Sequence, residues 1–65
     1  MFRNLEAEQA RFSYRNQDVA DLLNISRKSY ENKKKTGKFN TLEVIKLCKI
    51  FNSQFEYLFE ITKGA

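Results

Sequence analysis

The sequence predicts a compact all-α domain of five short helices. Apolar residues recur at three- and four-residue spacing, as on one face of a helix. There is no proline, and Gly37 and Gly64 are the only glycines, which favours helices joined by short turns over a sheet. Asn, Ser and Thr stand at the boundaries between the apolar runs, where helices start and stop. At 65 residues, with 42% hydrophobic residues, the chain suits a single domain (1–65) near the lower size limit for a core without staples.

The first helix is expected over "FRNLEAEQAR", with Phe2, Leu5 and Phe12 on one face, Ala7 and Ala10 beside them, and an end near Ser13. The second is "NQDVADLLN". Val19, Ala20, Leu22 and Leu23 form its apolar face, and Asp18 near its start suits the helix dipole. Asn24 follows the last apolar residue and is a residue type that takes the left-handed conformation in tight turns. Ile25 is a lone apolar plug, and Ser26 is an N-cap for a third helix running to Lys34 or Lys35.

"TGKFN" is a loop in which Gly37 can take positive φ. Thr41 is expected to cap a fourth helix, "LEVIKLCKIF", whose Val44, Leu47, Cys48 and Phe51 are the chain's strongest periodic set, with Ile50 alongside. Asn52 ends it. A short fifth helix carries Phe55, Leu58 and Phe59, with Ser53 as its candidate cap. Phe55 and Tyr57 are candidates for an exposed contact between two copies.

Composition excludes several function classes. One cysteine forms no internal bridge, and without histidine a zinc site lacks ligands, so Cys48 reads as a buried free thiol and the compartment as a reducing cytoplasm. No metal or other cofactor is expected. No apolar run approaches a membrane span, and the charged N-terminus is not a signal peptide. An enzyme is not expected either: there is no histidine, no carboxylate pair with a partner and no phosphate-cradling glycine loop.

Charge is concentrated. Of the net +4, the stretch Arg27 to Lys38 carries six positive residues against Glu31 alone, a net +5 that leaves the rest of the chain at −1. Such a segment can be a solvated face or a polyanion footprint. Its helix has a thin apolar side, only Tyr30 and the aliphatic stem of Lys33, while Lys28, Asn32 and Lys35 point the other way. So short and poorly amphipathic a helix must be held by its neighbours and turn most of its surface outward.

Two short helices joined by a tight turn, the second outward and basic, describe a helix-turn-helix over about 16–35. "NQDVADLLNISRKSY" resembles the helix-turn-helix of the phage Cro and repressor (Xre-type) family in its Val19, Ala20, Leu23, Asn24, Ile25 and Ser26. "NLEAEQARFSY" is similar to that family's first helix. "YENKKKTGKFNTLEVIKLCKIFNSQFEYLF" is similar to a branch found in phages of Gram-positive bacteria, so the likeness covers roughly 4–59. The chain departs from the pattern at Asn24, where the turn glycine usually stands, at Lys33, commonly apolar, at Asn40, commonly proline, and in a loop one residue shorter. Ala20 is small where two helices cross closely, and Tyr30 replaces an aliphatic residue that packs the recognition helix down, so its hydroxyl needs a partner.

The resemblance implies a lambda-repressor-like fold and a sequence-specific transcriptional regulator, a phage or prophage repressor or Cro-like protein that inserts helix 26–35 into the major groove of double-stranded DNA. It implies Arg27, Lys28 and Asn32 as base readers; Arg and Lys suit guanine O6 and N7, and Asn suits adenine N6 and N7. Glu31 can accept from cytosine N4, but pairing with Arg27 or Lys35 at helical spacing is the plainer reading. Phosphate contacts are expected from Arg15, Asn16, Gln17, Lys34, Lys35 and Lys38, with Asn16 and Gln17 alternatively buttressing the recognition helix. The implied partners are an operator and a second copy, with no membrane and no small-molecule effector. The rival reading is a protein-interaction module of antitoxin or anti-repressor type that keeps the fold; it calls for apolar anchors on the outward side of the third helix.

Overall fold

The computed structural model describes residues 1–61. The order is α1 (Arg3–Arg11), α2 (Asn16–Leu23), α3 (Arg27–Thr36), α4 (Thr41–Ile50) and α5 (Phe55–Leu58). The all-α prediction holds, and no strand occurs among the described residues. None of their helices is long and apolar enough to cross a membrane. α2 packs most closely on α3 and also on α4, while α5 closes against α1 and α4.

Three helices end in the same way, each without glycine. After α1, Ser13 turns left-handed at φ 58° and the Tyr14 N–H reaches back to the Gln9 carbonyl at 3.0 Å. After α2, Asn24 does so at φ 60° and the Ile25 N–H reaches Ala20. After α4, Asn52 does so at φ 48° and the Ser53 N–H reaches Cys48. This six-residue closure satisfies carbonyls that a helix end would otherwise leave open. After α1 and α2 the residue that closes it, Tyr14 or Ile25, packs against the core. α3 ends instead on Gly37 at φ 77°. It runs one or two residues past the expected Lys34 or Lys35.

Helix starts follow capping chemistry, with two corrections. The Ser26 hydroxyl accepts from the Ser29 N–H at 3.1 Å, as expected. At α4 the cap is Asn40, not Thr41: Asn40 Oδ1 accepts from the Glu43 N–H at 2.8 Å while the Glu43 carboxylate accepts from the Asn40 N–H at 3.0 Å. This reciprocal pair satisfies two open donors where a threonine at Thr41 would satisfy one. Ser53 does not cap α5 either; its hydroxyl donates to the Phe51 carbonyl, and Gln54 takes the cap position.

The core joins Phe2, Leu5, Val19, Ala20, Leu23, Tyr30, Leu47, Phe51 and Leu58, with Ile25 packed against it as the expected plug. Aromatic edges fill it: Phe59 meets Phe2 edge-on at 5.2 Å, and Phe51 meets Phe12 edge-on at 5.4 Å. Two apolar assignments fail. Leu22 is 49% exposed, because α2 is covered on only one side, by α3 and α4. Ala7 and Ala10 face solvent, and the polar Glu8 and Gln9 are buried in their place. Both find partners: Glu8 takes Arg11 at 2.7 Å and the Tyr57 hydroxyl at 2.9 Å. Cys48 is half-buried rather than fully buried, and burial pushes its thiol pKa up.

Candidate nucleic-acid interface

Tyr30 is the one apolar residue among the buried residues of α3. Tyr30 is fully buried, and its hydroxyl donates to Gln9 Oε1 at 2.7 Å, so the partner its position demands comes from α1. Burial first, and then the Glu6 carboxylate, push the phenol pKa well above its ordinary value, so it stays a neutral donor. The Asn24 turn, the Ile25 plug and the Ser26 cap set where the helix begins.

Lys28, Asn32 and Lys35 stand four and three residues apart, one stripe of a helix, and all three are exposed. No ion pair among the described residues uses either lysine. Lys38, on the loop after α3, is exposed too. Arg27 is exposed but tied, with its guanidinium Nη1 3.4 Å from Glu31 Oε2. Glu31 therefore takes the pairing, and the same oxygen also accepts from Asn16 Nδ2 at 3.0 Å. Lys33, at a position expected to lend only its stem, pairs with the buried Glu43 at 3.2 Å and ties α3 to α4.

Lys34, expected as a phosphate contact, is buried and engaged inside the domain. It is 8% exposed, and its ammonium donates to Asn16 Oδ1 at 2.7 Å and Glu6 Oε1 at 3.0 Å, and lies 4.8 Å above the Tyr30 ring. A solvated lysine would lose these contacts, and at the interface of α1, α2 and α3 they replace the water that burial removes. Asn16 is likewise spent on buttressing. Its Oδ1 accepts from Lys34 and from Gln9 Nε2 at 2.9 Å, so its amide faces Glu31.

At the start of α2 the other candidates are exposed but engaged. Arg15 pairs with Asp18 at 3.2 Å, and that contact holds the Asp18 carboxyl below its ordinary pKa. Gln17 Nε2 donates to Asp21 Oδ1 at 2.7 Å. The acids on this edge oppose an anion, so among the described residues the basic candidates that pair with no carboxylate are Lys28, Lys35 and Lys38.

Gln9 and Glu6 were not among the sequence candidates, yet Gln9 is the hub that joins Tyr30, Lys34 and Asn16. The signal was there: Phe2, Leu5, Gln9 and Phe12 share one helical stripe, and a polar residue on an apolar stripe needs a buried partner. Among the described residues no three Cys, Asp or Glu side chains converge as metal ligands do. No protein-family model, curated protein or solved structure matches the chain.

Proposed function

We propose that the protein is a sequence-specific double-stranded DNA-binding transcriptional regulator of the phage Cro/repressor (Xre-type) kind, with α2 and α3 as its helix-turn-helix and α3 in the major groove. One observation carries the reading: a short helix, pinned on one side by Tyr30, presents Lys28, Asn32 and Lys35 as a solvent-facing stripe. A helix of this kind has a free side suited to polar contacts, and the major groove admits a helix and presents a distinct pattern of donors and acceptors at each base pair. Lys28, Asn32 and the tied Arg27 read bases in this account, and Lys35 and Lys38 hold phosphates.

The rival interaction module would place apolar anchors on the outward stripe, and none stands there. Phe55 and Tyr57, 54% and 42% exposed on α5, support a contact between two copies on half-sites about one helical turn apart. Regulation would then act by occluding a promoter.

The test is selection of bound duplexes from a random library, followed by affinity against salt. The reading requires an enriched site, expected to be palindromic, and an affinity that falls with a log–log slope of about −0.9 per phosphate contact. A library that returns no enriched sequence refutes it.

A further inference from the structure

Four side chains form a continuous line from the domain interior to the candidate reading surface. Lys34 Nζ donates to Asn16 Oδ1 at 2.7 Å, Asn16 Nδ2 donates to Glu31 Oε2 at 3.0 Å, and the same Glu31 oxygen accepts from Arg27 Nη1 at 3.4 Å. The order of donors and acceptors leaves no freedom to reverse. Two donors, Lys34 and Gln9, converge on Asn16 Oδ1, so its amide nitrogen must face Glu31. Glu31 in turn offers Arg27 an oxygen already fixed in place. The outermost link is an exposed ion pair, which contributes little to stability. Its effect is on direction: a guanidinium held through one nitrogen still has its remaining N–H groups free for the O6 and N7 of guanine.

We infer that Glu31 and Asn16 are positioning residues that aim Arg27, and that they make base discrimination stricter at the base pair Arg27 reads than at the one Lys28 reads. Lys28 is exposed, with no comparable partner among the described residues, so its ammonium can shift among acceptors. The inference rests on the DNA-binding reading. It adds that residues that touch no base set specificity. It also carries a distinctive sign. Glu31 brings a negative charge to a surface that meets phosphates, so its removal should strengthen binding to unrelated DNA while weakening discrimination.

The experiment compares wild type, Arg27→Ala, Lys28→Ala, Asn32→Ala, Glu31→Ala, Glu31→Gln and Asn16→Ala by duplex selection and by affinity for an unrelated duplex, after thermal unfolding has established that each folds. Arg27→Ala locates the base pair that Arg27 reads. At that base pair Glu31→Ala should lower the preference about tenfold, and Asn16→Ala should lower it less. The preference lost in Asn32→Ala should persist in both. Affinity of Glu31→Ala for unrelated DNA should rise. Glu31→Gln keeps the volume and an accepting oxygen, and should retain part of the preference; it decides the matter if Glu31→Ala does not fold. A purely structural role predicts the opposite, with Glu31→Ala and Glu31→Gln weakening all sequences alike, and that result overturns the inference. So does an unchanged preference at the Arg27 base pair, or an Arg27→Ala variant that selects the wild-type site. If wild type itself enriches no site, the DNA-binding reading fails first and this assignment with it.

Discussion

Lys34 and Lys35 are neighbours in the chain, yet one is 8% exposed and bound to Glu6 and Asn16 while the other faces solvent. They stand for the two sides of α3. The inner side is polar as well as apolar: Tyr30, Lys34 and Glu31 all have partners there on α1 or α2. The outer side, Lys28, Asn32 and Lys35, keeps its side chains open to solvent. The difference teaches that positive charge by itself does not mark the binding surface. A lysine on the inner side is a fastening, and only on the outer side is it available to a partner.

The largest test of this contrast is Tyr30→Ala. Emptying a fully buried aromatic site should cost about 3–5 kcal/mol, comparable to the whole stability of a domain of this size. The expected result is loss of the cooperative unfolding transition in circular dichroism. Tyr30→Phe is milder, and it separates the hydroxyl from the ring. Because the folded pKa of Tyr30 is raised, its contribution is complete below the ordinary phenol value of about 10 and fades as pH rises through the raised one. Alkaline titration should therefore destabilise wild type more than Tyr30→Phe. Equal sensitivity of the two would break the inner-side account.

The adjacent lysines come next. Lys34→Ala leaves the Glu6, Gln9 and Asn16 acceptors short of a donor and should cost about 1–3 kcal/mol in denaturant unfolding. Lys35→Ala should stay within about 0.5 kcal/mol. In DNA binding the order reverses. Lys35→Ala should flatten the salt slope by about 0.9, whereas Lys34→Ala, if folded, should keep the wild-type slope. Similar stability losses for the two would erase the distinction between the sides.

Asn32→Ala sharpens the outer side by itself. It should relax preference at one base pair by about 1–3 kcal/mol with unfolding unchanged, read from selected sites and a melting curve. A wild-type site from this variant would leave the fold untouched and move the reading role elsewhere. The smallest effect is expected for Lys38→Ala, which should weaken every sequence alike and lower the salt slope by about one contact.

Much of this arrangement was legible in the chain. Asn24, Ile25 and Ser26 are recognisable as turn, plug and cap because each acts on backbone or side chains within a few residues. Lys28, Asn32 and Lys35 point outward because they share the stripe opposite Tyr30. Burial is less legible. Leu22 is apolar, and Ala7 and Ala10 lie near an apolar face, yet all three are exposed, because burial depends on what covers a helix. The α4 cap is a local matter: Asn40 has Glu43 three residues on, the spacing of a reciprocal cap, and the adjacent Thr41 competes with it in the chain alone.

The sequence by itself determined the five helices, their order, the left-handed Asn24 turn and the outward stripe, since periodicity and capping are short-range and repeat every few residues. Only the tertiary structure decided which lysine is buried, that Asn16 fastens Glu31 and why a glutamine sits in the core. Lys34 meets Glu6 28 residues away and Asn16 18 residues away, and Tyr30 meets Gln9 21 residues away. A hydrogen bond acts over about 3 Å, so partners this far apart in the chain are chosen when packing brings α1, α2 and α3 together.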